Sequence, residues 1–274
     1  MKFTQLLVYI GVFLVLSSCL KNPNTLSPIN SESFHEKQIQ INLQPPQIEV
    51  DDSLLSLTQE QKLTIKELIE MLSLTDQIRQ TGPDSLWNAL TLRWTEFKTN
   101  YIGTNRTPYS GNESTADSLK NKLSHEASLK WVELNVGLVK LSGEVRFGDA
   151  LEILLYKTQE FYFPENLLKS VIFTHVFDQI YINIIGSSTM EYQHTTGGNV
   201  KLIQETNYPQ GNEMTLKCKC NDLRYMDIFI RIPSWAVNPS VIHDNVKYVA
   251  YPGEYCQISK KWKTGDVIEV TLKN

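Results

Sequence analysis

From about Asn199 to Asn274, apolar and polar positions alternate. Met214, Leu216, Cys218 and Cys220 are separated by polar residues, Ile228, Ile230 and Ile232 by Phe229 and Arg231, and Val267 to Leu272 repeats the pattern. A period of two, punctuated by Gly, Pro and Asn-Asp, predicts antiparallel strands with one buried face. Runs of this kind at roughly ten-residue spacing predict a β-sandwich. Upstream the period lengthens. Thr58-x-x-Gln61 forms a capping box, and Ile65, Leu68, Ile69, Leu72 and Ile78 follow at helical spacing. Thr81-Gly-Pro-Asp84 stops this helix, and Asp84 caps a second one with the stripe Leu86, Trp87, Leu90, Trp94 and Phe97. So short a turn makes the two helices antiparallel neighbours. Tyr101 to Thr115 reads as a loop, and a third helix runs from about Asp117 to Leu141, ended by Ser142-Gly143. A fourth covers Phe147 to Glu160, and Pro164 opens a short fifth that reaches about His175. A strand, Ile180 to Ile185, then opens the sandwich. The expected fold class is α+β, helical hairpins followed by an antiparallel β-sandwich.

Four segments follow: a leader at 1–19, a tether at 20–56, a helical domain at 57–177 and the sandwich at 178–274. Met1-Lys2 precedes an apolar run, Leu6 to Leu16, which is too short to span a bilayer and has signal-peptide proportions. It ends in Leu16-Ser17-Ser18-Cys19, which resembles a bacterial lipobox. That resemblance implies acylation of Cys19 and a lipid-anchored protein of the bacterial envelope, facing the periplasm or on the outer membrane. An ordinary signal peptide with a coincidental cysteine is the alternative. Each buried methylene of an acyl chain contributes about 0.8 kcal/mol, so several chains anchor firmly. The tether is rich in Asn, Pro, Ser and Gln and reads as flexible. With 41% hydrophobic residues in 274, the chain can bury a core in one or two domains. A net charge of −4 without any Lys- or Arg-rich run gives no electrostatic footprint for nucleic acid.

Three markers stand in the strand-rich part: Gln204-Glu-Thr-Asn-Tyr-Pro209, Arg231-Ile-Pro-Ser-Trp-Ala236 and Trp262-Lys-Thr-Gly-Asp266. In this order they resemble the β-sandwich of bacterial β-L-arabinofuranosidases, glycoside hydrolase family 127. Thr81-Gly82 with Ser85-Leu-Trp-Asn-Ala-Leu90 resembles the family's helix-hairpin punctuation. Trp131 through Leu141-Ser142-Gly143 resembles the helix that follows its zinc-ligand motif. The resemblance runs from about residue 60 to the end. It implies that the helices are part of an (α/α)6 barrel with the active site at its centre. Family members are much longer, so earlier barrel helices have no counterpart here, which leaves apolar helix faces for a protein partner that completes the barrel.

In the resembled family a zinc ion held by one glutamate and three cysteines supports a cysteine nucleophile, and a second glutamate is the acid/base. Zinc lowers the thiol pKa so that a thiolate can attack the anomeric carbon. The family's Glu-Thr-Cys-Ala falls on Ser124-His125-Glu126-Ala127, and its Cys-Cys-Pro-Pro-Asn on Tyr162-Phe163-Pro164-Glu165-Asn166. No cysteine lies between Leu20 and Lys217. Neither the thiolate route nor the family zinc site is expected, and no cofactor is implied. Glu113, in Ser110-Gly-Asn-Glu-Ser114, stands where the resemblance places the acid/base; the alternative is an exposed loop carboxylate. Glu113 and Glu126, beside His125, are the candidates for a rebuilt two-carboxylate site, which needs a separation of about 5 to 9 Å. Glu126, expected at mid-helix, reads more readily as part of a solvated helix face.

The remaining candidates are weaker. Cys218 and Cys220 share one strand face, which disfavours a bond between them. Either could meet Cys256 across the sheet, or all three are small core fillers. Cys-x-Cys lacks a second ligand pair, and His243 alone makes no zinc site. His175 and His194 read as structural or exposed. Tyr101, Tyr109, Tyr162, Tyr192 and Tyr208 sit in or beside loops, where they either stack on sugar rings or pack internally. The expected function is that of an envelope lipoprotein of this glycosidase family that no longer cleaves by the family route. A non-catalytic accessory protein binding plant-type oligosaccharides, and a decayed fragment, are the alternatives.

Overall fold

A computed structural model of the chain describes residues 40–41, 59–82, 84–102, 125–157 and 165–273. Five α-helices come first: α1 (Gln59–Thr81), α2 (Asp84–Phe97), α3 (His125–Ser142), α4 (Val145–Lys157) and α5 (Glu165–Ile172). Lys98–Ile102 adds a turn of π-helix to α2, so Tyr101 and Ile102, expected in a loop, still belong to a helical turn. The predicted stripes are buried in large part, but in α1 Ile69 is exposed and Met71, outside the predicted stripe, is buried in its stead. Leu68 and Met71 of α1, Leu90, Trp94 and Phe97 of α2, and Trp131, Leu134 and Leu138 of α3 are all inside. Trp131 stacks on Trp94 at 5.6 Å and on Phe97 at 5.2 Å. Trp94 Nε1 donates to Asn135 Oδ1 at 2.9 Å, which satisfies an indole that burial would otherwise leave unpaired. Gly143, at φ +66°, ends α3 with its amide donating to Val139 O.

Eleven strands are described: β1 (Gln40–Ile41), β2 (Phe173–Val176), β3 (Gln179–Ile182), β4 (Ser188–Gln193), β5 (Asn199–Thr206), β6 (Glu213–Cys220), β7 (Arg224–Arg231), β8 (Val237–His243), β9 (Val246–Tyr248), β10 (Tyr255–Trp262) and β11 (Val267–Lys273). They form a seven-stranded sheet, β1-β4-β5-β6-β11-β8-β9, and a four-stranded sheet, β10-β7-β3-β2. Met214, Leu216 and Cys218 of the first, and Met226, Ile228 and Ile230 of the second, fill the space between. All pairings are antiparallel except β3 with β7, which run parallel. Within the expected tether, Gln40–Ile41 pair with Ser188 and Thr189 of β4.

Several boundaries differ from the sequence reading: α4 starts at Val145 rather than Phe147, and β3 ends at Ile182 rather than Ile185. The fifth helix stops at Ile172 rather than near His175, and Phe173–Val176 is strand β2, hydrogen-bonded to β3. The apolar, β-branched run Val171-Ile-Phe-Thr-His-Val176 suits a strand as well as a helix, and a distant residue decides. Asn183 donates from Nδ2 to Val171 O and from its backbone N to Ile172 O, taking up carbonyls that end the helix.

The helical part meets the sandwich through Arg231. This side chain points out of the sandwich and is fully buried beneath α4. Its guanidinium binds Asp149 and Glu152, one helical turn apart on α4, and its Nε donates to Asn183 O. Asp149 Oδ2 also accepts from Ser234 N at 3.1 Å and from Ser234 Oγ. Tyr255 donates to Asn183 Oδ1 at 2.6 Å. Gly148 permits this approach, because a Cβ there would lie 2.8 Å from Arg231 Cδ and 3.2 Å from Asn183 O. Arg231 is pinned on three sides and cannot yield. Gly148→Ala is therefore expected to lower stability by about 1–3 kcal/mol despite its better helix propensity, read as a lower midpoint in urea. An unchanged midpoint would mean that the junction is loose.

Candidate functional site

Glu126 lies in the first turn of α3 and is exposed, next to buried Ala127 and Ser128. Glu113, Ser124, Tyr162, Phe163 and Cys19 lie outside the described residues, as do Tyr109 and the side chain of His125. The two family motif positions thus flank the starts of α3 and α5, helices that pack on each other.

Near α3 the described helices present a cationic and aromatic floor. Lys98 Nζ lies 5.4 Å above the Trp94 ring, and the Arg146 guanidinium lies 5.6 Å from Trp94 and 4.8 Å from Phe147. Burial pushes the Lys98 pKa down, with Arg146 adding repulsion and Asp149 opposing both. Tyr101 packs on Phe97 at 4.7 Å. Tyr192 and Tyr208 are buried, Tyr208 parallel to Trp235 at 5.8 Å, so these three tyrosines serve packing.

The thiols are elsewhere. Cys218 and Cys220 stand on β6 and Cys256 on β10, in opposite sheets, all buried and unbonded to one another. Burial pushes Cys256 up to about 11, and burial together with Cys220 pushes Cys218 higher. Both are held as thiols at neutral pH, the reverse of what a nucleophile needs. In the native protein these cysteines should resist Ellman's reagent at pH 8 and react once guanidinium unfolds the chain. Fast reaction in the folded state would show the core to be open.

Sequence reasoning set His243 aside as solitary, and the fold gives it neighbours. His243, Asp244 and Asp266 offer ligand atoms within 4.8 Å of one another. Lys260 already supplies the positive charge there, with Nζ 3.1 Å from Asp266, 3.5 Å from Asp244 and in contact with His243 Nε2. Burial works against the Asp266 charge, but the Lys263 amide and Lys260 hold its carboxyl below the usual range. His194 is buried and bonds Tyr225 O at 3.0 Å, while the partly exposed His175 bonds Phe177 O at 3.0 Å. Both histidines are structural.

Glu152 is a fully buried acid whose pKa is raised. Burial raises its pKa more strongly than Arg231 lowers it, and Asp149 adds repulsion. A carboxyl whose folded pKa is raised binds protons more tightly in the folded state, so its contribution to stability declines as pH rises from the unfolded value towards the folded one. Glu152→Gln is expected to remove that decline, giving a flatter dependence of the unfolding midpoint on pH above the ordinary glutamate range. An identical slope in the two proteins would assign the raised pKa to another group.

Residues 179–274 match the profile of the β-L-arabinofuranosidase middle domain of glycoside hydrolase family 127. Among solved structures, one titled glycoside hydrolase superposes with a TM-score of 0.62 at 17% identity, over 77% of this chain and 46% of its own. A family 127 β-L-arabinofuranosidase from Geobacillus stearothermophilus T6 gives 0.59 at 17%, over 76% and 42%. A family 127 β-arabinofuranosidase gives 0.58 at 19%, over 77% and 42%. The chain therefore spans less than half the length of these structures. No curated protein matches by sequence. Helical hairpins followed by a β-sandwich are the fold these structures share, and the resemblance carried by the three markers is borne out.

Proposed function

We propose that this protein is a lipid-anchored envelope relative of the β-L-arabinofuranosidases that engages arabinose-containing plant oligosaccharides without the family's zinc–thiolate chemistry. The supporting observation is the placement of sulfur. Beyond Cys19 the chain has three cysteines, all in the strand region, where they are buried and unbonded. The helical part therefore contributes no sulfur to a metal or to an anomeric carbon. Cys19 is the acylation site, and residues 20–56 lead from the membrane to the fold. Hydrolysis, where it occurs, runs through Glu113 and Glu126, one as acid and the other as base or nucleophile.

The full chain in mild detergent, given an aryl β-L-arabinofuranoside, should show turnover that is indifferent to zinc or a chelator and lost in Glu113→Gln and in Glu126→Gln. Turnover abolished by the chelator would overturn the metal-free reading. Cys19→Ala should move the protein from the membrane to the soluble fraction. A second reading, glycan binding without cleavage, is favoured by the aromatic outer face of the four-stranded sheet, where Tyr225 is exposed and Phe229 and Tyr255 are half-buried.

A further inference from the structure

The four-stranded sheet has an outer face that the sandwich core does not use. Met226, Ile228 and Ile230 of β7 point inward, so Tyr225, Asp227 and Phe229 point outward. The register carries this face across neighbouring strands. Lys261 pairs with Tyr225, Ser259 and Gln179 flank Asp227, and Gln257 and Tyr181 flank Phe229. Tyr181 lies flat on Phe229 at 4.4 Å with 13° between the rings, and Tyr255 meets Tyr181 edge-on at 5.8 Å. These rings are fixed by one another rather than free to rotate. Gln179, Tyr225, Gln257, Ser259 and Lys261 are exposed around them. At its far end the face runs under α4, where Arg231 is buried, so it is continuous with the junction to the helical part.

We infer that this face is a binding shelf for a neutral glycan chain, with sugar rings lying on Tyr225 and Phe229 and their hydroxyls meeting Asp227, Gln179, Gln257 and Ser259. The inference rests on the glycan-binding reading above. Charge selects the class of partner. Among the described residues the open part carries one cation, Lys261, and one anion, Asp227, which suits neither nucleic acid nor an anionic membrane. Its residues are aromatic and amide rather than aliphatic, unlike the apolar centre of a protein interface. Asp227 Oδ1 is shielded from solvent beside the rings and has no hydrogen-bond partner among the described residues. Mutual stacking holds the shelf in place before a ligand arrives, so little ordering cost attends binding.

The full chain should be titrated with a soluble arabinan in affinity electrophoresis, beside Tyr225→Ala and Gln257→Ala. Both side chains are exposed, and unfolding midpoints equal to wild type would show that the folds are intact. Each variant is expected to weaken arabinan binding about tenfold, the order of one lost aromatic or polar contact, without altering any turnover of the aryl arabinofuranoside. Arabinan binding that survives both substitutions overturns the shelf and leaves the glycan reading standing. No arabinan binding by the wild type overturns both. Anionic vesicles retained more strongly than arabinan, with the same loss in Tyr225→Ala, would replace the glycan with a membrane surface.

Discussion

Among the described residues, a buried guanidinium lies at the centre of the junction between helix and strand. Arg231 leaves the last position of β7 and enters α4, where it meets Asp149 and Glu152. Truncating one member of a buried ion group costs about 3–5 kcal/mol, because the remaining charges stay buried without compensation. Two carboxylates against one guanidinium leave an excess acid. Burial raises the Glu152 pKa against the pull of Arg231, and Asp149 adds repulsion. The same network organises the chain around it, since Asn183 ends α5, receives Arg231 and anchors Tyr255.

The three sequence markers gain a physical meaning from this arrangement, and it is structural rather than catalytic. In the first, Gln204 donates to Ile184 O and Ser188 Oγ at 3.1 Å, and Thr206 Oγ1 donates to Glu213 O at 2.6 Å. In the second, Arg231 and Ser234 both hold Asp149. In the third, Asp266 closes the turn by accepting from Lys263 N at 3.1 Å and pairs with Lys260. Tyr208 of the first lies parallel to Trp235 of the second. The positions that the resemblance aligns with family cysteines hold Glu126, Tyr162 and Phe163.

Separation of scaffold from chemistry also bears on the thiols. Cys218, Cys220 and Cys256 behave as small apolar side chains, in keeping with the core-filler alternative rather than the disulfide. The cage at His243 has the same character, because Lys260 balances its carboxylates from within the protein.

The sequence by itself determined the periods: helical stripes through Leu90, Trp94 and Trp131, and alternation through Met214 to Cys220, Ile228 to Ile232 and Val267 to Leu272. Burial of one face is a local pattern, so it is legible residue by residue. It also determined that the helical part has no cysteine, which is a fact of composition. Only the tertiary structure decided where α5 yields to β2, because Asn183 settles that boundary from outside the segment. It likewise decided that β3 runs parallel to β7, that Asp149 and Glu152 share Arg231 from about eighty positions away, and that Tyr181, Phe229 and Tyr255 make one surface. Such groupings follow from strand order and register, and no spacing along the chain encodes which strands will lie side by side.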